Sequence, residues 1–549
     1  MEFAGIAVAT TNDAYSPPRP TNREAVSLED LSTQRTYLGE NTFLAHEAES
    51  QPTVPQGLVP ALTPLHESVL RLTEATSLPK PPLLKALTES YFEHVFPRYP
   101  VAEPADIANS KSSLLKQAVC FAGSLMRHSD NPRHLAVTQS FYEKTKLMIL
   151  LNYSSNPIDT LAAMCLMICW SANPSDSLSL DGPWHWTGVA IRLALQMGLH
   201  KEATYINQPH GSRLRRIWWI LLNADRLQSV CFGRPLAVRA SDTNTQLPQL
   251  SDFAEDNISS KVFVHYATLI EIVGGIANFE IQGRKASNPE REQIYCSLCD
   301  WIKNLPDSIR LFDTKGARQQ YHASVVELHI LFFTAIILLD AHRMRVENKW
   351  YMSTPSVIAA SCGARLMEEV ECHEDIASMS SPTVFYIMVI SVPLLYHRVS
   401  SEEKEEIRRA EVQILYSNLE LLSARYSSAI LARRYLDKIS DECRKSRAEV
   451  QEELETHQVT ISEHNASQSS WATGDLFPFP SNFCPNMELV DFDINDQTNG
   501  ALEFFPVSND PLHWAFNDPP AFLDFFQIDD MTETLSTAIP FDPASSTFS

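Results

Sequence analysis

The stretch Asp181-Gly182-Pro183-Trp184-His185-Trp186-Thr187-Gly188-Val189-Ala190-Ile191-Arg192-Leu193-Ala194-Leu195-Gln196-Met197-Gly198-Leu199-His200 reads as one complete helix with its own start and stop. Asp181 can cap the start, and Pro183 suits the first turn, where its missing N–H is not needed. Trp186, Ala190, Leu193 and Met197 follow helical spacing and share one face. Gly188, Ala190 and Ala194 are small, which leaves room for a neighbouring helix. Gly198 supplies a left-handed residue after the last turn, with Leu199 folding back.

A second helix follows over Ser212-Arg213-Leu214-Arg215-Arg216-Ile217-Trp218-Trp219 and on to Cys231. Leu214, Ile217, Leu221, Ala224 and Cys231 trace a core stripe. Asp225 and Arg226 fall where an apolar helix would not place charge, so paired and hydrogen-bonded roles are expected, with Arg192 or Arg234 as partners. Gly233-Arg234-Pro235 ends the helix with a flexible residue and a proline.

Outward from this pair the same grammar continues. Helical spacing recurs over Leu83 to Phe96, Leu114 to Met126, Phe141 to Leu151, Thr160 to Trp170 and Val262 to Ile281. Later runs span Ala323 to Val346, Ser356 to Cys372 and Glu403 to Tyr426, with almost no two-residue alternation. The fold class expected is all-α: a large helical domain over residues 61–447. Residues 1–60, rich in Thr, Ser, Pro, Ala and Glu, are expected to be disordered. So is the tail over 448–549: residues 448 to about 465 could prolong a helix, and from Trp471 onward Asp and Glu alternate with Phe and Pro.

Charge and cysteine usage narrow the function classes. The net charge of −23 is uneven: no Lys or Arg follows Arg447, and 18 Asp or Glu lie beyond it. No basic face of the kind duplex binding requires is visible. The ten cysteines are scattered, and with no export signal they are expected to be reduced. Cys165 with Cys169, and Cys296 with Cys299, lack the second ligand pair that a metal site needs. The apolar run Ile330 to Leu339 is about half of what spans a bilayer, and Tyr386 to Tyr396 contains Pro393, so both read as core helices. No Gly-rich phosphate loop, zinc-protease helix or nucleophile elbow is present, and an enzyme is not expected. Arg433, Arg434, Lys438, Arg444, Lys445 and Arg447 are open to two readings, a charged helix surface or an import signal.

The segment from Trp184 to Pro235 resembles the fungal-specific transcription factor domain, the middle homology region of zinc-cluster regulators. The residues that carry the resemblance are Trp184, Gly188, Ala190, Arg192, Ala194, Gly198, Leu199 and His200, then Arg215, Arg216, Trp218, Trp219, Asp225, Arg226, Gly233, Arg234 and Pro235. Upstream, Tyr91 to Pro100 is similar to the motif in which a family helix breaks into an apolar, proline-containing loop. Downstream, Trp301 to Pro306 is similar to a later helix end. The resemblance implies a nuclear transcription regulator in which these residues do structural work. It also implies zinc as cofactor, held by an N-terminal cysteine cluster. Here no cysteine precedes Cys120 and residues 1–60 are not basic. A protein regulating through a partner, a shortened gene model and a natural truncation all remain open. No cofactor and no catalytic, metal or DNA-binding residue is therefore assigned.

In the acidic tail, charge repulsion would keep Trp514, Phe516, Phe522, Phe525 and Phe526 solvated. Asp524, Asp529 and Asp530 flank the densest cluster. Such a segment can order on an apolar coactivator groove with a basic rim, which reads as activation; the alternatives are an inert acidic tail or one that folds against the domain. The expected partners are transcription coactivators, with a zinc-cluster protein or a second copy of the chain as dimer partner and DNA reached only indirectly. The gene set expected is metabolic or secondary-metabolite.

Overall fold

A computed structural model describes residues 36–37, 62–127, 133–170, 178–206, 208–281, 288–341, 345–346, 349–350, 353–397, 399, 401–456, 475–480, 483 and 505–506. Fifteen α-helices dominate them. Before the segment quoted above come α1 (Pro64–Leu72), α2 (Pro81–Ser90), α3 (Pro104–Asn109), α4 (Ser113–Leu125), α5 (Arg133–Leu150) and α6 (Pro157–Met167). The motif itself forms α7 (Pro183–Gln196) and α8 (Gly211–Phe232). After it come α9 (Ile258–Ile281), α10 (Asn288–Lys303), α11 (Ala323–Ala341), α12 (Thr354–Cys372), α13 (Thr383–Tyr396), α14 (Glu402–Ser423) and α15 (Ser427–Thr456). The fold is all-α. Extended pairing among the described residues is confined to an isolated bridge, Phe312 with Arg318, and three antiparallel dipeptides: β1 (Arg345–Val346), β2 (Lys349–Trp350) and β3 (Phe505–Pro506).

The helix starts follow local chemistry. Thr63, Ser112, Asn156, Ser353 and Ser401 each accept a backbone N–H of the following turn through the side chain. Proline occupies the first turn of α1, α2, α3, α6, α7 and α12, where no donor is lost. Asp181 does not cap α7: the cap position is Gly182, and the Asp181 carboxylate lies 2.7 Å from the ammonium of Lys146. Helix α2 runs into a π-helical turn, Tyr91–Val95, and then into the apolar loop foreseen there.

One core is continuous from Leu70 to Cys443 and takes in Leu476 and Phe477. Helix α4 packs against α2, α5 and α6; α6 against α7 and α8; α8 against α9. Helix α9 reaches α11, which lies among α10, α12 and α13, and α14 and α15 close the far side. The Ala323–Asp340 part of α11 is long and apolar enough to cross a membrane by composition, as is Ile258–Ala277 of α9. The α11 stretch is longer than the ten-residue run seen in the sequence, but 89% of it is buried inside the protein. Helix α11 is a core helix.

Candidate regulatory site

Helix α8 is the axis around which the motif residues gather. Every residue from Arg216 to Val230 is buried, so the helix is covered on all sides rather than along one stripe. Its first turns carry three arginines that reach into loops. The Arg213 guanidinium donates to the Val101 carbonyl at 2.8 Å and to the Asp159 carboxylate at 3.0 Å. Arg216 donates to the Pro100 carbonyl at 3.0 Å and to the Asp252 carbonyl, and lies 3.3 Å from the Glu103 carboxylate. Arg215 makes a two-pronged contact with Glu202, both arms at 2.8 Å, and stands over the Tyr205 ring. That bond holds the Glu202 carboxyl below its ordinary range and raises the Arg215 guanidinium. Arg215 and Arg216 are therefore both salt-bridged, and Arg216 is internal.

The tryptophans do similar work on the next loop. Trp218 donates its ring N–H to the Thr245 hydroxyl at 3.1 Å, and Trp219 donates to the Gln246 carbonyl at 2.8 Å. Gln246 in turn donates its backbone N–H to Glu202 at 2.8 Å. Segments distant in sequence, at 202, 215, 219 and 246, thus form one closed network.

Asp225 and Arg226 are both paired, but not with Arg192 or Arg234. Asp225 accepts the backbone N–H groups of Ala237 (3.0 Å) and Val238 (3.1 Å), bracing the turn after Gly233-Arg234-Pro235. Burial pushes its carboxyl upward, and the two amides pull it back. Arg226 reaches across to Glu271 of α9 at 2.9 Å and lies over the Trp219 ring. Arg192 lies on an exposed face of α7. Arg234 stacks over Trp184 and Phe232.

The end of α7 is a complete Schellman turn. Gly198 takes φ +75°, its N–H bonds the Leu195 carbonyl, and the Leu199 N–H returns to Ala194, both at 3.0 Å. Gly233 ends α8 in the same left-handed region, at φ +60°. Gly188 plays no such part: nothing lies within 4 Å of where its Cβ would be, so close helix approach at this point rests on the buried Ala190 and Ala194. Trp186 is buried and donates to the Tyr142 hydroxyl at 3.0 Å. His200 is a packing residue. Its carbonyl accepts from Asn244 and Thr243, and its ring meets Tyr37 edge-on.

A second internal polar centre was not singled out from the sequence. Arg98, in the loop after the π-helical turn, pairs with Glu327 of α11, and both are nearly buried. Glu327 also accepts from Ser380 and, at 3.2 Å, from Thr383. Arg98 additionally donates to the His94 carbonyl at 3.1 Å. Around it lie the phenols of Tyr99 and Tyr386, which burial pushes well above their ordinary range. The only sequence signal for this pair was a charge inside each of two apolar stretches.

These arrangements suit scaffolding rather than bond-making. The buried carboxylates of the motif are already held by guanidinium or amide donors, and burial pushes the thiols of Cys120 and Cys169 up to about 12. A thiol kept protonated is a poor nucleophile. Cys165 and Cys169 are enclosed in the core, and no group of three or more His, Cys, Asp or Glu suited to a metal occurs among the described residues. The cysteines described here do not fit a zinc cluster. Arg433 lies over Tyr416 and 3.3 Å from Asp437, and Arg444 is 2.8 Å from Asp441, as on a charged helix surface. Trp514, Phe516, Phe522, Asp524, Phe525, Phe526, Asp529 and Asp530 lie outside the described residues.

Residues 88–295, from the end of α2 into α10, match the fungal specific transcription factor domain. The acetamidase regulatory protein of Aspergillus fumigatus is 29% identical over 260 residues, covering 44% of this chain and 33% of that protein. Cutinase transcription factor 1 beta of Fusarium vanettenii is 32% identical over 237 residues, 38% of this chain and 26% of that protein. A transcriptional regulatory protein of Schizosaccharomyces pombe is 25% identical over 273 residues, 43% of each. The chain thus spans less than half the length of these relatives, all of which are transcription regulators rather than enzymes.

Proposed function

We propose that this chain, which carries a fungal specific transcription factor domain over residues 88–295, is a nuclear activator of a metabolic or secondary-metabolite gene set. The helical domain is the regulatory body and the acidic, aromatic tail is the segment that recruits coactivators. The observation that carries this reading is the agreement between the family match and the role of its marker residues. Arg215, Arg216, Trp218, Trp219, Asp225 and Gly233 all hold one another or adjacent loops in place, as a scaffold for regulation requires. Two relatives bear the names of acetamidase and cutinase, which supports control of metabolic genes.

Residues 466–549 fused to a foreign DNA-binding domain should drive a reporter. Replacing Phe525 and Phe526 together by Ala should lower that drive by about tenfold or more, because aromatic anchors dominate such contacts. An undiminished signal would refute the aromatic mechanism.

A second reading is favoured by the fate of the arginines. Arg213, Arg215, Arg216 and Arg226 are engaged inside the domain and are not offered to phosphate. On this reading the chain modulates transcription without touching DNA, through a zinc-cluster partner or a second copy. Chromatin immunoprecipitation with and without that partner separates the two: occupancy that persists without it rejects the modulator.

A further inference from the structure

Within the segment whose sequence reads as an acidic tail, a short stretch is seated on the helical domain. Asp475 lies 2.6 Å from the Lys303 ammonium at the end of α10. Leu476 and Phe477 are buried, at 1% and 3% exposure, as deeply as the domain's own core. Phe477 stacks parallel to Phe333 of α11, with ring centroids 6.3 Å apart. Phe479 stands edge-on to Phe333 at 5.7 Å, and Phe483 edge-on to Phe312 at 4.9 Å. Phe479 and Phe483 also meet each other, 5.3 Å apart.

The receiving surface is built for this occupant. Residues 311–319 form a tight turn in which Asp313 bonds back to Ala317, and Leu311 accepts from Gln319 and Arg318. Arg318 covers one side of Phe312 and is fixed by Glu369 at 2.7 Å, so the ring is held out for Phe483. Gly316 at the tip takes φ +80° and lets Pro480 close in. One cationic edge and an aromatic floor match an acidic residue followed by aromatics. The peptide backbone is itself turned, with Phe479 N–H to the Phe477 carbonyl and Phe483 N–H to the Pro480 carbonyl. Its side chains, not strand pairing, provide the contact.

We propose that α10, α11 and the 311–319 turn form a binding groove for an acidic aromatic peptide, and that residues 475–480 together with Phe483 are its resident ligand. Occupied in cis, the groove ties down the start of the tail and limits the access of other proteins to the sequence beyond it. Release or displacement of the segment frees that sequence. This rests on the reading of the tail as the activating segment, but the groove is tested independently of it. A ligand joined to its site faces a high effective concentration, so a free peptide competes poorly until the tethered one is weakened.

The test uses the full chain with and without the double substitution Phe477→Ala/Phe479→Ala, and a fluorescein-labelled peptide of residues 472–486 as probe. The double variant, with unchanged helical circular dichroism and a cooperative melt, should bind the peptide at least about tenfold more tightly than the unsubstituted chain. Equal binding by both, or none by the folded variant, overturns the groove. Where the double variant loses its fold, Phe483→Ala at the margin of the contact replaces it, with the same direction expected. Tethered to a foreign DNA-binding domain, the full-length variant should drive a reporter several-fold harder (on the order of one anchor's worth of occupancy). An unchanged signal overturns control of the tail by the groove. Failure of residues 466–549 alone to drive the reporter would instead defeat the activation reading and leave the peptide result standing.

Discussion

Helices α8 and α11 are both long and both buried, yet they are opposite in chemistry. Helix α8 carries Arg213, Arg216, Asp225 and Arg226 into the interior, whereas α11 is apolar from Ile330 to Leu339 apart from Thr334. The difference follows from what surrounds them. Helix α8 is wrapped partly by loops at 100–103, 202–206 and 237–252, whose carbonyl and N–H groups lack partners within a regular element. Its side chains supply those partners: Arg216 to the Pro100 and Asp252 carbonyls, Trp219 to Gln246, Asp225 to the Ala237 and Val238 amides. Helix α11 is wrapped mainly by α9, α10, α12 and α13, whose backbones satisfy themselves, so it needs only shape. Charge enters α11 mainly towards its ends, at Glu327 and Asp340, where it meets Arg98 and Arg291. In α8, Arg216 and Asp225 mark where the helix faces irregular backbone, whereas Arg226 pairs with Glu271 on a neighbouring helix.

The sharpest way to break this comparison is Arg216→Ala. It removes the guanidinium beside the Glu103 carboxylate and leaves the Pro100 and Asp252 carbonyls without their donor, and should destabilise the domain by about 3–5 kcal/mol in denaturant unfolding. A loss within the range of an ordinary surface change would refute the loop-satisfying role of α8.

The next effect is a pH dependence in α11. Burial lowers the His329 imidazole to about 4, with its Nδ1 against the Val325 carbonyl. An unfolded imidazole takes up its proton near pH 6.5 and the folded one only near 4. Between these values the unfolded chain binds more protons, so stability is full above pH 6.5 and falls as the pH drops towards 4. The loss attributable to this residue should be about 3 kcal/mol. Comparing pH-dependent melts of the wild type with His329→Leu checks it: the variant should lack that part of the slope, and an identical slope would show that the imidazole titrates freely.

The smallest expected effect refines the apolar half of the comparison. Ile337→Val removes one methylene from a fully buried side chain and should cost about 1 kcal/mol, measured by the same unfolding method. A much larger cost would mean that α11 has a stricter shape requirement than the comparison allows.

The helices could be read in advance because their signals are local. Pro183 and Gly198 bound α7 to within a residue, and Gly233 marks the end of α8. The core position of Trp186 was likewise legible, since few environments suit a tryptophan on a helix face shared with apolar residues. The partners were not. Glu202, Glu271, Ala237 and Glu327 are chosen by how helices and loops cross, and spacing along the chain carries no record of that. Gly188 misled for the same reason: its small size permits a close approach, but no neighbour uses it.

The amino-acid sequence alone determined that the protein is helical, where most helices begin and end, and that its net negative charge is concentrated beyond residue 447. These properties depend on hydrophobic period, capping chemistry and composition, all of which act within a few residues. Only the tertiary structure decided that α8 is enclosed on every side, that Arg98 meets Glu327 across the core, and that Phe477, Phe479 and Phe483 settle on α11 and the 311–319 turn. Those facts depend on contacts between distant segments, whose stability is set by complementary surfaces that exist only once the chain has folded.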